Sequence, residues 1–234
     1  DEIQRFDRWE LYLKKYYDLG FSVRFIISGS ASAPIFRKSR ESLLGRIKDN
    51  HLLPFSFKEF LKMKREDGSI KYFEEYFNDG GFADYLKLKR PNVLQELLND
   101  ILARDIAIRY KIRNQKTLKE LAVYLLTNIG KQFTYNSLKK NFKLGSINSV
   151  ISFISHFEDT YMIFTIPRFD YSLKKMVVNP KKVYSIDNGF TLKNSASFFD
   201  DRGRLLENLV FINLRKRNKD IFYFQENNEC DFLI

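Results

Sequence analysis

Apolar side chains recur at helical spacing over residues 4–19, through Phe6, Trp9, Leu13, Tyr16 and Tyr17, and Gly20 can close that helix. The rhythm then changes. Val23, Phe25, Ile26 and Ile27 form a nearly continuous apolar run within residues 21–28, the pattern of a short strand buried on both faces of a sheet. After the small-residue turn Ser28-Gly29-Ser30 a helix is predicted over 37–44. An apolar segment at 51–57 is broken by Pro54, and residues 58–64 read as a short helix. Gly68-Ser69 and Asp79-Gly80-Gly81 mark turns. Residues 91–110 read as one long helix, striped by Val93, Leu97, Leu98, Ile101, Leu102, Ile106 and Ile108. Strand, helix and strand in succession predict an α/β first module.

The middle of the chain has a different pattern. Residues 117–128 are amphipathic through Leu118, Leu121, Ala122, Leu125 and Leu126, and Gly130 ends that helix. A short helix over 134–142 follows, then a third from Ser146 through Val150, Ile151, Phe153, Ile154 and Phe157. Residues 161–167 and 181–186 read as strands flanking a loop at 171–179. Three helices and a two-stranded ribbon are the order of a winged helix, and a small helical bundle reads similarly. In the last part, residues 205–217 are helical, and residues 221–225 and 231–234 read as strands joined by a polar turn at 226–229. The predicted domains are 1–103, 104–190 and 200–234.

Composition narrows the classes. The chain has 234 residues, 44% hydrophobic and 29% charged, enough to bury a core. Its longest purely apolar runs fall far short of the ~20 residues a membrane-spanning helix needs, so no membrane association is expected. Cys230 is the single cysteine, which excludes a disulfide framework and a multi-cysteine zinc site. With no signal peptide, it fits a reducing, cytoplasmic setting. His51 and His156 are the two histidines, too few for a histidine-rich metal centre.

The net charge of +11 is concentrated. Residues 104–143 carry 10 basic and 2 acidic side chains, a surface expected to attract polyanions weakly and without sequence preference. A solubilising helix face accounts for the same charge. Residues 146–158, the expected recognition helix, hold no Lys or Arg, so the bidentate guanine contacts that carry DNA specificity are absent. A protein partner fits that helix as well.

An acidic pair opens the chain, in Asp1-Glu2-Ile3-Gln4, with Trp9 a few residues on. Together with Ile27-Ser28-Gly29-Ser30, Leu44-Gly45-Arg46, residues 53–60 (LPFSFKEF), Gly80-Gly81-Phe82, residues 100–105, residues 182–190 (KVYSIDNGF), residues 206–211 (LENLVF) and Glu229-Cys230-Asp231-Phe232, it resembles an AAA-type prokaryotic and archaeal ATPase family. The likeness covers essentially the whole chain. It implies the later part of a P-loop ATPase core, then a winged helix, then the opening of an α/β nuclease-like domain of the PD-(D/E)xK type.

The resemblance also implies roles. Asp1 corresponds to the Walker B aspartate that holds magnesium, and Glu2 to the acid that positions the attacking water. Ser28 and Ser30 fall where a polar sensor reaches the γ-phosphate, and Arg46 follows Leu-x-Gly as a finger or phosphate sensor. Each has a plainer reading: a helix N-terminal acid pair, a helix cap at Ser30, a surface arginine at Arg46. Glu207 and Asp231 match the helix and strand acids that converge on a divalent metal, with Glu229 beside them, and exposed surface acids are the alternative. The E-x-K that would complete such a centre is expected after residue 234.

ATP and magnesium are thus the implied cofactors of the complete protein. No phosphate-cradling G-x-x-x-x-G-K-[ST] occurs in these residues, so this chain by itself is expected to bind no nucleotide tightly. Assembly through a shared nucleotide site is the implied oligomeric behaviour. A non-enzymatic winged-helix module that binds DNA or protein is the competing class.

Overall fold

The structure is a computed structural model, and it describes residues 3, 6–29, 43–48, 50–90, 92–196, 201–217, 220–226 and 228–234. The chain divides into two compact units, residues 1–52 and 53–234, so the expected boundary at 103 falls inside the second.

In the first unit the helix expected over 4–19 is shorter, α1 (Trp9–Asp18), with Trp9 buried. Gly20 follows its C-terminus at φ 69°, the left-handed conformation that glycine adopts without strain. The strand expected at 21–28 is not formed. Those residues have no regular structure, and Val23, Phe25 and Ile26 are exposed. A strand is held by hydrogen bonds to a neighbour, and the described residues of this unit provide no neighbouring strand. The helix expected at 37–44 falls mostly outside the described residues.

The second unit opens with four short helices: α2 (Phe57–Lys64), α3 (Ile70–Asp79), α4 (Ala83–Leu88) and α5 (Asn92–Asp100). A reciprocal capping box starts α2: the Glu59 amide donates to the Ser56 hydroxyl, and the Glu59 carboxylate accepts from the Ser56 amide at 2.7 Å. α3 lies between the two turn signals, where the apolar spacing predicts no element. Ser69 caps it, and Tyr76 and Phe77 are its buried residues. The expected long helix at 91–110 is α5 continued by a π-helical segment, Ile101–Ile108. The wider π turns still bury Leu102 and Ile106.

Next come α6 (Gln115–Thr127), β1 (Gln132–Phe133), α7 (Tyr135–Asn141), α8 (Ile147–Asp159), β2 (Ile163–Pro167), α9 (Leu173–Val178) and β3 (Lys181–Ser185). The three strands form an antiparallel sheet in the order β1-β3-β2, with Phe164 opposite Tyr184 and Gln132 opposite Lys182. β1 is a third strand that the two-residue segment gave no periodicity to reveal. α9 occupies the expected loop at 171–179. The main core joins α5, α6, α8 and this sheet through Leu94, Leu118, Leu121, Leu125, Ile154 and Phe157. Each such side chain, fully buried, contributes about 1.5–3 kcal/mol of transfer free energy.

The chain finishes with α10 (Asn188–Asn194), α11 (Arg202–Arg215) and the antiparallel hairpin β4 (Phe222–Gln225) and β5 (Glu229–Leu233). A second core of Ile166, Tyr184, Phe211, Ile221 and Tyr223 fixes α11 and the hairpin to the three-stranded sheet. The result is a mixed helix-and-sheet protein. Among the described residues, no helix is long and apolar enough to cross a membrane.

Candidate functional site

Alternation along β3 builds the site. Successive side chains of a strand point to opposite faces, so Val183 enters the main core while Lys182 and Tyr184 face the other way, toward α11 and the terminal hairpin. Tyr184 stacks on Phe211 of α11, with ring centroids 4.4 Å apart and planes at 13°. That contact sets the position of α11, whose Leu205, Asn208, Phe211 and Ile212 turn inward. Glu207 projects beside them at the edge of the buried face.

The Lys182 ammonium has three N–H donors, and three acids meet it. Its Nζ lies 3.2 Å from Glu207 Oε1, 2.8 Å from Glu229 Oε1 and 2.6 Å from Asp231 Oδ1. Lys182 is only 2% exposed, whereas Glu229 and Asp231 are about half exposed, so the centre is closed on the protein side and open on the hairpin side. The Tyr184 hydroxyl donates to Glu207 Oε1 at 2.6 Å. Burial by itself would push the lysine's pKa down, but the hydrogen bonds to Asp231 and Glu229 and the charge of Glu207 outweigh it and hold the ammonium above the ordinary lysine range. Burial and the Glu207 hydrogen bond both push the Tyr184 phenol up.

A buried polar network braces this centre from behind. Asn208 accepts from the Ser185 amide at 2.8 Å and donates to Asn188 Oδ1 at 3.0 Å. Asn188 in turn donates to the carbonyls of Leu205 and Phe77. Asp187 caps α10 through the Phe190 amide and accepts from the Gly81 amide at 2.7 Å. Burial pushes the Asp187 carboxyl up to about 6, against the amides of Phe190, Gly81 and Gly189, which pull it down.

Of the residues singled out from sequence, Asp1, Glu2 and Ser30 lie outside the described residues. The Ser28 carbonyl accepts from the Ile3 amide at 3.1 Å. Arg46 is engaged within its own unit: its guanidinium pairs with Asp18 at 3.2 Å and lies over the Tyr17 ring. Glu207 and Asp231, on different elements, are brought to one point, and Glu229 joins them. Lys182 and Tyr184 were missed as site residues. Their signal was a lysine and a tyrosine two positions apart in a predicted strand, on the face opposite an apolar valine.

The acids meet the ammonium rather than framing an empty space. Among the described residues, no group of three or more His, Cys, Asp or Glu side chains is arranged to hold a metal ion. Carboxylate oxygens are the right donors for magnesium, but Lys182 stands at their focus, so this arrangement does not fit a divalent ion.

Residues 70–197 match the family described as a domain of unknown function, DUF8612, over more than half of the chain. The chain belongs to this family. The DUF8612 region runs from α3 to just past α10 and contains Lys182 and Tyr184, while Glu207, Glu229 and Asp231 follow it, so the site forms where that region meets the C-terminal segment. Residues 1–61 match an AAA domain, which relates the N-terminal part to the AAA ATPases. An uncharacterised protein of Methanocaldococcus jannaschii is 34% identical over 259 residues, covering all of this chain and 57% of that protein. An uncharacterised protein of Haemophilus influenzae is 24% identical over 245 residues, covering all of this chain and 61% of that one. The chain thus spans about three fifths of the length of these relatives.

Proposed function

We propose that this chain is the later part of an AAA-type ATPase whose nucleotide cycle serves a winged-helix and nuclease-like module acting on nucleic acid. The observation that carries this reading is the meeting of Glu207 from α11, Asp231 from β5 and Lys182 from β3 at one point. Two acids and a lysine are the residue types a PD-(D/E)xK centre uses. Lys182 supplies a lysine inside the chain, whereas the E-x-K of the resemblance is expected after residue 234. The order of α6, β1, α7, α8, β2 and β3, with its three-stranded antiparallel sheet, supports a winged helix. The AAA match over residues 1–61 supports the ATPase part.

The Lys182 ammonium stands at the focus of the acids, where a metal ion would otherwise sit. ATP with magnesium is the cofactor proposed for the complete protein, with Asp1 holding the magnesium, Glu2 positioning the attacking water, and Ser28 and Ser30 near the γ-phosphate. A second reading, a binding module without catalysis, is favoured by one fact: each donor of the Lys182 ammonium already has an acid, which is how a purely structural charge centre looks.

Two assays on the complete protein test the proposal. Asp1→Asn should abolish magnesium-dependent ATP hydrolysis, whereas Glu2→Gln should slow hydrolysis and retain ATP binding, because a metal ligand and a water-positioning group act on different steps. Hydrolysis at the unmodified rate in Glu2→Gln protein would refute the Glu2 assignment. DNA cleavage by the complete protein should be lost in Glu207→Gln and Asp231→Asn. If the unmodified complete protein cleaves no DNA, the binding-module reading holds instead.

A further inference from the structure

A groove of about 970 Å³ runs along α6 in the second unit. Its lining positions on that helix recur three and four residues apart, so they form one continuous face. Lys116, Lys119, Lys131 and Arg204 place four cations on it, while Tyr124 and Phe142 lie among them. The carboxylates on the lining are Glu120, 3.9 Å from Lys116, and Asp201, 3.1 Å from Arg204. Lys119 also donates to Asn99 at 2.9 Å. The face therefore keeps a net positive charge beside an apolar floor. Tyr124 is 36% exposed and meets Phe142 edge-on at 5.3 Å, which leaves surface of its ring open to the groove.

One end of the groove adjoins the Lys182 centre. Gly130, at φ 72°, directly precedes Lys131, and a Cβ there would stand 3.0 Å from Glu207 Oε2 and 3.4 Å from Arg204 Cγ. The absence of a side chain at this position lets the groove and the acid centre lie wall to wall.

We propose that this groove binds single-stranded nucleic acid and leads it toward the Lys182 centre. The proposal rests on the nucleic-acid reading above and names its substrate class and path. Charge complementarity selects a polyanion, because Lys and Arg contacts to phosphates release counterions. The exposed tyrosine ring among the cations selects a strand whose bases are free to stack, since a duplex keeps its base faces buried.

The test is fluorescence anisotropy of fluorescein-labelled oligo(dT) with the complete protein, without magnesium, over rising salt. The unmodified protein should bind, with log affinity falling against log salt at a slope of about −1.4, as expected for two phosphate contacts on a single strand through Lys119 and Lys131. Tyr124→Ala should weaken binding about ten-fold or more, and Tyr124→Phe, which keeps the ring, should restore it. Lys119→Glu with Lys131→Glu should weaken binding and flatten the slope. Lys62→Glu with Lys71→Glu, an equal charge change away from the groove, should not. Unchanged binding in both groove variants would overturn the proposal, as would preference for a Glu/Leu amphipathic peptide over oligo(dT). Because no cleavage is read, loss of cleavage on Glu207→Gln bears on the proposed function alone, and loss of binding on Tyr124→Ala bears on the groove alone.

Discussion

Lys182 Nζ stands 2.6 Å from Asp231 Oδ1, joining a strand of the three-stranded sheet to the terminal hairpin through one hydrogen-bonded charge pair. Glu207 and Glu229 share the same ammonium, so the pair is part of a four-group centre linking β3, α11 and β5. An ammonium that is 2% exposed would be costly without such partners. The acids would repel one another without it.

Replacing Lys182 with Met should therefore destabilise the second unit by roughly 2–3 kcal/mol. Breaking a fully buried pair costs about 3–5 kcal/mol, and the half-exposed Glu229 and Asp231 lower that figure here. Urea unfolding measures it. Adding Glu207→Gln to Lys182→Met should recover part of the loss, because the second change removes one of the repelling charges. Strictly additive losses would show that the two side chains do not interact.

Asp187 should give the unit a pH dependence of unusual sign. Its carboxyl is raised to about 6 in the fold, against an ordinary value of 3.8. The folded state then holds more protons than the unfolded state between those values, so stability is greatest below about 4 and falls as pH rises through 6. Two pKa units correspond to about 3 kcal/mol. Asp187→Asn should flatten this part of the profile in a comparison of chemical denaturation across acidic pH. An equal slope in both proteins would assign the dependence elsewhere.

Gly80 and Gly203 should respond in opposite directions to alanine. Gly80 has φ 71°, and a Cβ there would collide with the Asp187 carboxylate. Gly80→Ala should cost about 3 kcal/mol or more through strain and loss of the Gly81–Asp187 contact. Gly203 is in the first turn of α11, and the nearest atom to its added Cβ is Asp201 Oδ1 at 3.4 Å, which is ordinary contact. Gly203→Ala should raise stability by about 0.5–1 kcal/mol, because alanine loses less entropy in a helix. Thermal melts of the two variants check both signs.

Local pattern was enough for several elements. The helical stripes at 117–128 and from Ser146 onward, and the apolar strands at 161–167 and 181–186, appear close to where periodicity put them, because an amphipathic segment buries its face whatever lies opposite. Caps at Ser146, and at Ser56 with Glu59, are equally local, since each is a side chain bonding its own backbone a turn away. The types of Glu207 and Asp231, one acid in a helix and one in a strand, could also be read as a pair.

The remainder depended on neighbours. The apolar run at 21–28 reads as a buried strand, but with no adjacent strand among the described residues of its unit it forms none. β1 is two residues long and has no period of its own; it exists because Gln132 and Phe133 find Lys182 and Lys181 across the sheet. α10 depends on Asp187, whose second amide contact comes from Gly81, remote in sequence. Lys182 is the clearest case. In sequence it is one of many lysines, and only the packing of Tyr184 on Phe211, which brings α11 and the hairpin against the sheet, surrounds its ammonium with three carboxylates. A side chain's type is local, but its charge environment is set by whatever the fold places within a few ångströms.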